Sequence, residues 1–288
     1  MKLALIVISC LLFALAIPVL ADDKPLVRFG VIPRYNPVVM YKRYQPIMDY
    51  LTQNTPYHFE LKISRDYPEA VRYLRDGVTQ ISSLGDVTFI EARTLYGAIP
   101  ILKPLNENGI PYYRSAIIVQ NDSPLKSLHD LKDRTVAFGS SHSTSGNLIP
   151  RYLLWNNGIR LQDLALFTNL KHHDAVAKAI LKGQYDAGAV KDVIAKKYMS
   201  YGLRVLAYSD PLPSVPFVVR KEAPPEFIRA VKKALLKLDR NNPEHKRIMS
   251  TWDDEFKNGF AEANSNDYRK IFSMIRDIPT GCGYGCHR

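Results

Sequence analysis

Apolar and polar positions along this chain switch between a period of two and a period of about 3.6. Short β-branched or apolar runs over 27–32, 59–64, 80–84, 115–120, 135–138, 187–190, 204–207 and 217–220 read as strands. Amphipathic stretches over 38–52, 67–76, 87–96, 127–131, 147–155, 173–181 and 192–201 read as helices. The first of these follows the Asn36-Pro37 stop, and Gly77 ends the second. Past Pro225 the pattern is mainly helical. Such alternation predicts an α/β fold with largely parallel strands. Its grouping predicts two lobes joined by two crossings, one from 22–117 with 209–279 and one from 118–208.

Ligands of open α/β sheets bind beyond the carboxyl ends of strands. That rule selects Arg34, Tyr67, Gly85, Asp86, Thr88, the Ser143-Thr144-Ser145 triplet and Asp192 as candidates. The triplet is the most informative. The strand 135–138 runs into a loop of glycines and hydroxyls, and a helix starts just after it. Strand, hydroxyl loop and helix start together aim backbone N–H groups and the positive end of a helix dipole at one point. A single Ser or Thr before a helix is usually an N-cap. Three hydroxyls in a row beside Gly146 go beyond what a cap needs, and a small tetrahedral oxyanion is the expected occupant. Arg34, after the first strand, could grip such an anion bidentately.

The first residues change where this chemistry would happen. Lys2 precedes an almost wholly apolar run from Leu3 to Leu20, and Val19-Leu20-Ala21 ends in a small residue before Asp22-Asp23. This reads as a secretory signal over 1–21, with an uncleaved anchor as the rival. Val7-Ile8-Ser9-Cys10 resembles a lipoprotein box, but Cys10 comes too early, with apolar sequence still following. A periplasmic location is expected. The formal net charge of +11 favours anionic partners. The Lys and Arg residues are scattered rather than blocked, and an exported chain meets little nucleic acid, so a nucleic-acid partner is excluded.

Enzyme signatures are absent: there is no H-E-x-x-H, G-x-S-x-G or G-x-x-x-x-G-K-[ST]. Ser123-Pro-Leu-Lys126 fits S-x-x-K without the companion motifs. Neither catalysis nor a metal site is expected.

Several separated motifs agree with one family. Phe29-Gly30-Val31-Ile32-Pro33, Asp66-Tyr67, Leu84-Gly85, Tyr113-Arg114-Ser115, Asp122-Ser123-Pro124, Ser143-Thr144-Ser145-Gly146 and His173-Asp174-Ala175-Val176 occur in its order and at similar spacing. Over roughly residues 26–220 the chain resembles the phosphate/phosphite/phosphonate-binding proteins of bacterial ABC importers. The resemblance implies a type 2 periplasmic-binding-protein fold, with two lobes, a central ligand cleft and a mainly helical C-terminal extension. It implies that Ser143, Thr144 and Ser145 hold phosphonate oxygens, with Tyr67, Tyr113 and His173 as further ligands. Tyr112 and His172 stand directly beside two of these, and either could be displaced by a position. Hydrogen bonds to charged groups contribute about 1.5–3 kcal/mol each. Micromolar binding needs about 8 kcal/mol, so four or five such donors would suffice.

Members that take aminoalkylphosphonates place carboxylates around the ligand amine, after the strand ending near Val190 and before Phe217. This chain offers Lys191-Asp192 and Ser214-Val215 there, and only Asp192 could serve. Phosphate, phosphite, a simple alkylphosphonate or arsenite therefore fits better. The expected protein is a monomeric solute-binding protein serving an ABC permease. The alternative is an oxyanion-sensing input protein for a sensor kinase.

The tail over 280–288 carries Cys282, Cys286 and His287. In an oxidising compartment the default is a disulfide. His287 directly after Cys286 also suggests a variant of the C-x-x-C-H signal for covalent haem c, with one extra residue between the cysteines. Free or metal-bound thiols complete the alternatives, and otherwise no cofactor is expected.

Overall fold

A computed structural model describes residues 24–277. The signal segment and the Cys282, Cys286 and His287 tail lie outside the described residues.

In chain order the strands are β1 (Leu26–Val31), β2 (His58–Ile63), β3 (Ile81–Ser83), β4 (Ile99–Pro104), β5 (Tyr112–Tyr113), β6 (Ser115–Gln120) and β7 (Thr135–Phe138). They continue with β8 (Leu166–Asn169), β9 (Ala187–Lys191), β10 (Leu203–Tyr208), β11 (Leu212–Pro213), β12 (Phe217–Val219) and β13 (Phe260–Glu262). The helices are α1 (Pro37–Asn54), α2 (Tyr67–Arg75), α3 (Asp86–Tyr96), α4 (Ile149–Asn156), α5 (His173–Leu181), α6 (Asp192–Met199), α7 (Pro225–Leu236), α8 (Pro243–Met249) and α9 (Arg269–Asp277).

Two lobes result. One is built on a six-stranded sheet in the order β13-β4-β12-β3-β1-β2, the other on a five-stranded sheet in the order β10-β6-β9-β7-β8. The sheets are mixed, which corrects the expectation of largely parallel strands. β1 runs parallel to β2 and β3, and β7 parallel to β8 and β9. Strands laid down after the chain changes lobes run the other way: β6 is antiparallel to β9, and β12 to β3 and β4. β4, β5, β8, β11 and β13 were not foreseen. β4 carries Pro100 and Pro104, and β8 is a half-exposed edge strand, so neither has a clean strand pattern. The stretch 127–131 is a single 3-10 turn rather than an α-helix.

Each sheet is covered on both faces. Met40, Tyr44, Ile47 and Leu51 of α1 and Phe227 and Val231 of α7 pack against Val27, Phe29 and Phe217. Leu74, Phe89 and Ile271, from α2, α3 and α9, form the core on the other face. In the second lobe Leu154 of α4 joins Val136 and Phe138, whereas Val176 and Ile180 of α5 lie against the opposite face. Gly188 makes the α5 contact possible: a Cβ there would stand 2.6 Å from Val176 Cγ1 and 2.9 Å from Ile180 Cγ1. That close seat fixes the start of α5, where His173 lies.

The two crossings pair with each other. β5 and β11 form an antiparallel ribbon in which Tyr113 faces Leu212 and Tyr112 faces Pro213. The parallel strands of both sheets end at the junction beside this ribbon. Helices α2, α3, α5 and α6 begin there, so four positive dipole ends converge on it.

Candidate functional site

Local structure around the triplet departs from a plain helix start. Residues Thr144–Leu148 form one π-helical turn, and α4 begins only at Ile149, whereas the pattern predicted a helix over 147–155. Pro150 supplies the reason. It lacks the N–H that would reach the Gly146 carbonyl four residues back, and that carbonyl instead accepts from Gly139 N at 2.7 Å. The backbones of Gly139 and Gly146 are pressed together: a Cβ on Gly146 would lie 3.0 Å from Gly139 Cα, 3.0 Å from His173 Cε1 and 2.9 Å from Ser143 Oγ. π-turns of this kind are frequent at functional sites.

Ser143, Thr144 and Ser145 are all buried at the junction of the lobes. Ser143 Oγ accepts from Gly146 N at 3.0 Å and lies 3.2 Å from His173 Nε2. His173 Nδ1 accepts from Lys191 N at 3.3 Å, which places the imidazole proton on Nε2. Ser143 Oγ thus receives two hydrogen bonds, and its own proton points to the Tyr67 oxygen. Thr144 Oγ1 accepts from Val87 N at 3.1 Å, across the junction between lobes. The Ser145 carbonyl accepts from Ser115 Oγ at 2.7 Å, tying the turn to β6.

The remaining candidates divide. Tyr67, the first residue of α2 after the Asp66 N-cap, is buried with its hydroxyl bonded to Ser143. Tyr113 is buried, donates to Asp86 Oδ2 at 2.8 Å and contacts the Thr144 hydroxyl. Tyr112 is exposed, so the neighbour did not take its place. His173 faces the triplet, whereas His172 Nδ1 donates to the Pro33 carbonyl at 2.9 Å. Gly85 is the N-cap position of α3, where an added Cβ would meet Thr144 Oγ1 at 3.7 Å, an ordinary contact. The Thr88 hydroxyl is spent on the Gly85 carbonyl at 2.9 Å. Asp192 accepts from Arg114 N at 2.9 Å and Val193 N at 2.8 Å, so both its oxygens brace the crossing and α6.

Arg34 is buried rather than a surface residue. Its guanidinium donates to Tyr44 OH at 3.1 Å and Ser83 Oγ at 3.4 Å and is paired with Glu255. Lys191 is paired with the same carboxylate from the other lobe, its Nζ 4.1 Å from the centre of the Tyr113 ring. Glu255 was missed altogether. It sits in an acidic run, Asp253-Asp254-Glu255, within the stretch past Pro225 that the pattern reads only as mainly helical. The aromatic neighbour Phe256 decides its placement: it packs edge-on to Phe217 at 5.2 Å and Tyr44 at 5.4 Å, which carries Glu255 inward.

The electrostatics follow from burial. Desolvation, then Arg34 and Lys191, lower the His173 pKa to about 3, so the ring is a neutral Nε2–H donor at physiological pH. Desolvation pushes Asp86 upward, against Tyr113, Lys191 and Arg34, and its Oδ1 has no hydrogen-bond partner among the described residues. Desolvation also pulls Lys191 down, reinforced by Arg34. The expected result for His173 is a neutral Nε2–H tautomer persisting at pH 5. Nitrogen-15 NMR checks this, with His173→Asn for assignment; an imidazolium at pH 5 would contradict it.

Comparison with known proteins agrees with this geometry. Residues 29–268 match the family described as ABC transporter, phosphonate, periplasmic substrate-binding protein. The chain belongs to this family. It is similar to a probable ABC transporter phosphite-binding protein, PhnD1, of Prochlorococcus marinus strain MIT 9301, at 24% identity over 95% of this chain and 96% of that protein. Among solved structures, PhnD1 from the same organism in complex with methylphosphonate superposes with a TM-score of 0.78 at 21% identity. That superposition covers 88% of this chain and 98% of the other. A binding component of an ABC phosphonate transporter from Pseudomonas aeruginosa has the same TM-score at 22% identity, over 88% and 86% of the two chains. These likenesses establish the type 2 periplasmic-binding-protein fold. The phosphonate-family member described here is thus the periplasmic substrate-binding component of an ABC transporter.

Proposed function

We propose that this protein captures a compact phosphorus oxyanion, phosphite or a short phosphonate, between its lobes and passes it unchanged to an ABC permease. The observation that carries this reading is the convergence of donors on one buried spot. The Ser143 and Thr144 hydroxyls, His173 Nε2–H and the Tyr67 hydroxyl now satisfy one another and Tyr113, and an arriving oxyanion would take over their protons. These groups replace the hydration shell of a small anion, and donors to a charged acceptor contribute about 1.5–3 kcal/mol each. The phosphite named for the Prochlorococcus relative, and the methylphosphonate in its structure, belong to the same ligand class. Binding without chemical change accords with the His173 tautomer, whose Nε2 carries the proton and so cannot take one from Ser143.

Asp86 adds selectivity on this reading. Its unpartnered oxygen can accept from a P–OH, or donate to a P–O⁻ when protonated. A sulfonate is of equal size but has no ionisable proton near neutrality. Calorimetry with phosphite, methylphosphonate, phosphate and methanesulfonate tests the reading. Phosphite or methylphosphonate should bind with Kd at or below about 1 μM, and methanesulfonate more weakly. No binding of any phosphorus oxyanion would overturn it.

A further inference from the structure

Beside the hydroxyl triplet lies a charge cluster for which a hydrogen or methyl substituent on phosphorus has no use. Arg34 follows β1 in one lobe, and Lys191 ends β9 in the other. Both are buried, and the Glu255 carboxylate is paired with both. Burying a cation costs several kcal/mol before any partner repays it, and a pocket made only to enclose a methyl group is better lined with apolar side chains. Here two cations from opposite lobes converge instead.

The cluster is continuous with the triplet. The Lys191 backbone N–H bonds His173, which touches Ser143, and the Arg34 guanidinium lies close enough to Tyr67 and His173 to influence both. A ligand bound at Ser143 and Thr144 therefore needs only a short arm to reach between the cations. Glu255 demonstrates what fits there: a carboxylate. It also has somewhere to go. It borders a cavity of about 340 Å3 that is lined by Lys196, Lys197 and Lys257 as well. A rotated Glu255 side chain would enter a solvated space where it meets Lys197 beside the Lys196–Glu107 and Lys257–Asp254 pairs and Asp192.

We propose that Arg34 and Lys191 form a second anion subsite, which Glu255 otherwise fills, and that the preferred ligand is a phosphonate bearing a carboxylate on a neighbouring carbon. The exchange keeps the charge count between the lobes constant, because one carboxylate replaces another. It adds a bidentate carboxylate contact for Arg34. This inference rests on the oxyanion reading above and sharpens its substrate class.

Calorimetry with phosphonoacetate against methylphosphonate tests it. The wild-type protein should bind phosphonoacetate at least about tenfold tighter. Glu255→Gln removes the competing charge and should tighten phosphonoacetate further. Lys191→Met should reduce the preference ratio towards one. Equal or weaker binding of phosphonoacetate while methylphosphonate binds would overturn the second subsite alone. Failure of both phosphonates to bind would overturn the oxyanion reading and this inference together. Should Lys191→Met fail to fold, as judged by circular dichroism, the wild-type preference and the Glu255→Gln change decide the matter.

Discussion

Replacing Ser143 with Ala and Thr144 with Val together will weaken oxyanion binding by at least about a hundredfold. Two hydrogen bonds to a charged acceptor are removed, at about 1.5–3 kcal/mol each, and each 1.4 kcal/mol is a factor of ten. The loss should exceed a simple deletion, because both oxygens also organise the site. Ser143 Oγ accepts from Gly146 N and approaches His173 Nε2, and Thr144 Oγ1 accepts from Val87 N in the opposite lobe. Without the hydroxyls, those buried donors lose their acceptors, at about 1–3 kcal/mol for each unsatisfied group. A lower melting temperature should accompany the weaker Kd. Calorimetry at a temperature where circular dichroism shows a native fold separates the two effects. Affinity within threefold of the wild type would remove the triplet from the site.

Gly146→Ala is expected to be nearly as damaging to binding with only a methyl group added. The new Cβ would face Gly139 Cα at 3.0 Å and His173 Cε1 at 3.0 Å, and neither can rotate away. Either the Gly139–Gly146 contact opens or α5 shifts, and both move His173 relative to Ser143. Overpacking of this kind costs about 1–3 kcal/mol of stability. Displacement of a donor pair now 3.2 Å apart should cost at least about tenfold in affinity. Gly146 is not among the glycines with positive φ, so backbone strain is not the cause. A crystal structure of the variant should show the gap at Gly139 widened. Unchanged Kd and melting temperature would mean that the close approach is not needed.

The sequence made the strongly patterned elements legible and left the weakly patterned ones hidden. β1, β7, α5 and the strand-end loops stand out because their residues repeat at the right period and stop at Pro or Gly. β4 was invisible because its two prolines contradict a strand reading, yet it pairs with β12 and β13. The triplet could be recognised locally, since its hydroxyls, Gly146 and the following helix are contiguous. The π-turn could not, because it depends on the Gly146 carbonyl finding Gly139 once Pro150 has declined it. Arg34, Lys191 and Glu255 illustrate the harder limit. Arg34 and Glu255 stand 221 positions apart in the chain. No local rule distinguishes the buried acid from its neighbour Asp254, which is bonded to Arg43 and Lys257. Only tertiary packing, with Phe256 anchored in an aromatic cluster and Asp253 buried against Arg43, turns two of the three acids inward and leaves Asp254 partly exposed.

Tyr113 belongs at once to the ribbon linking the lobes and to the buried network, through Asp86 and Thr144. Any swing of one lobe against the other must twist the segment that bears this phenol. Tyr113 therefore couples the ribbon between the lobes to the buried network, beside the Val87–Thr144 and Lys191–Glu255 contacts that also cross the junction. A permease gripping the outer faces would feel cargo as a change in stiffness at that joint, without touching the cargo itself.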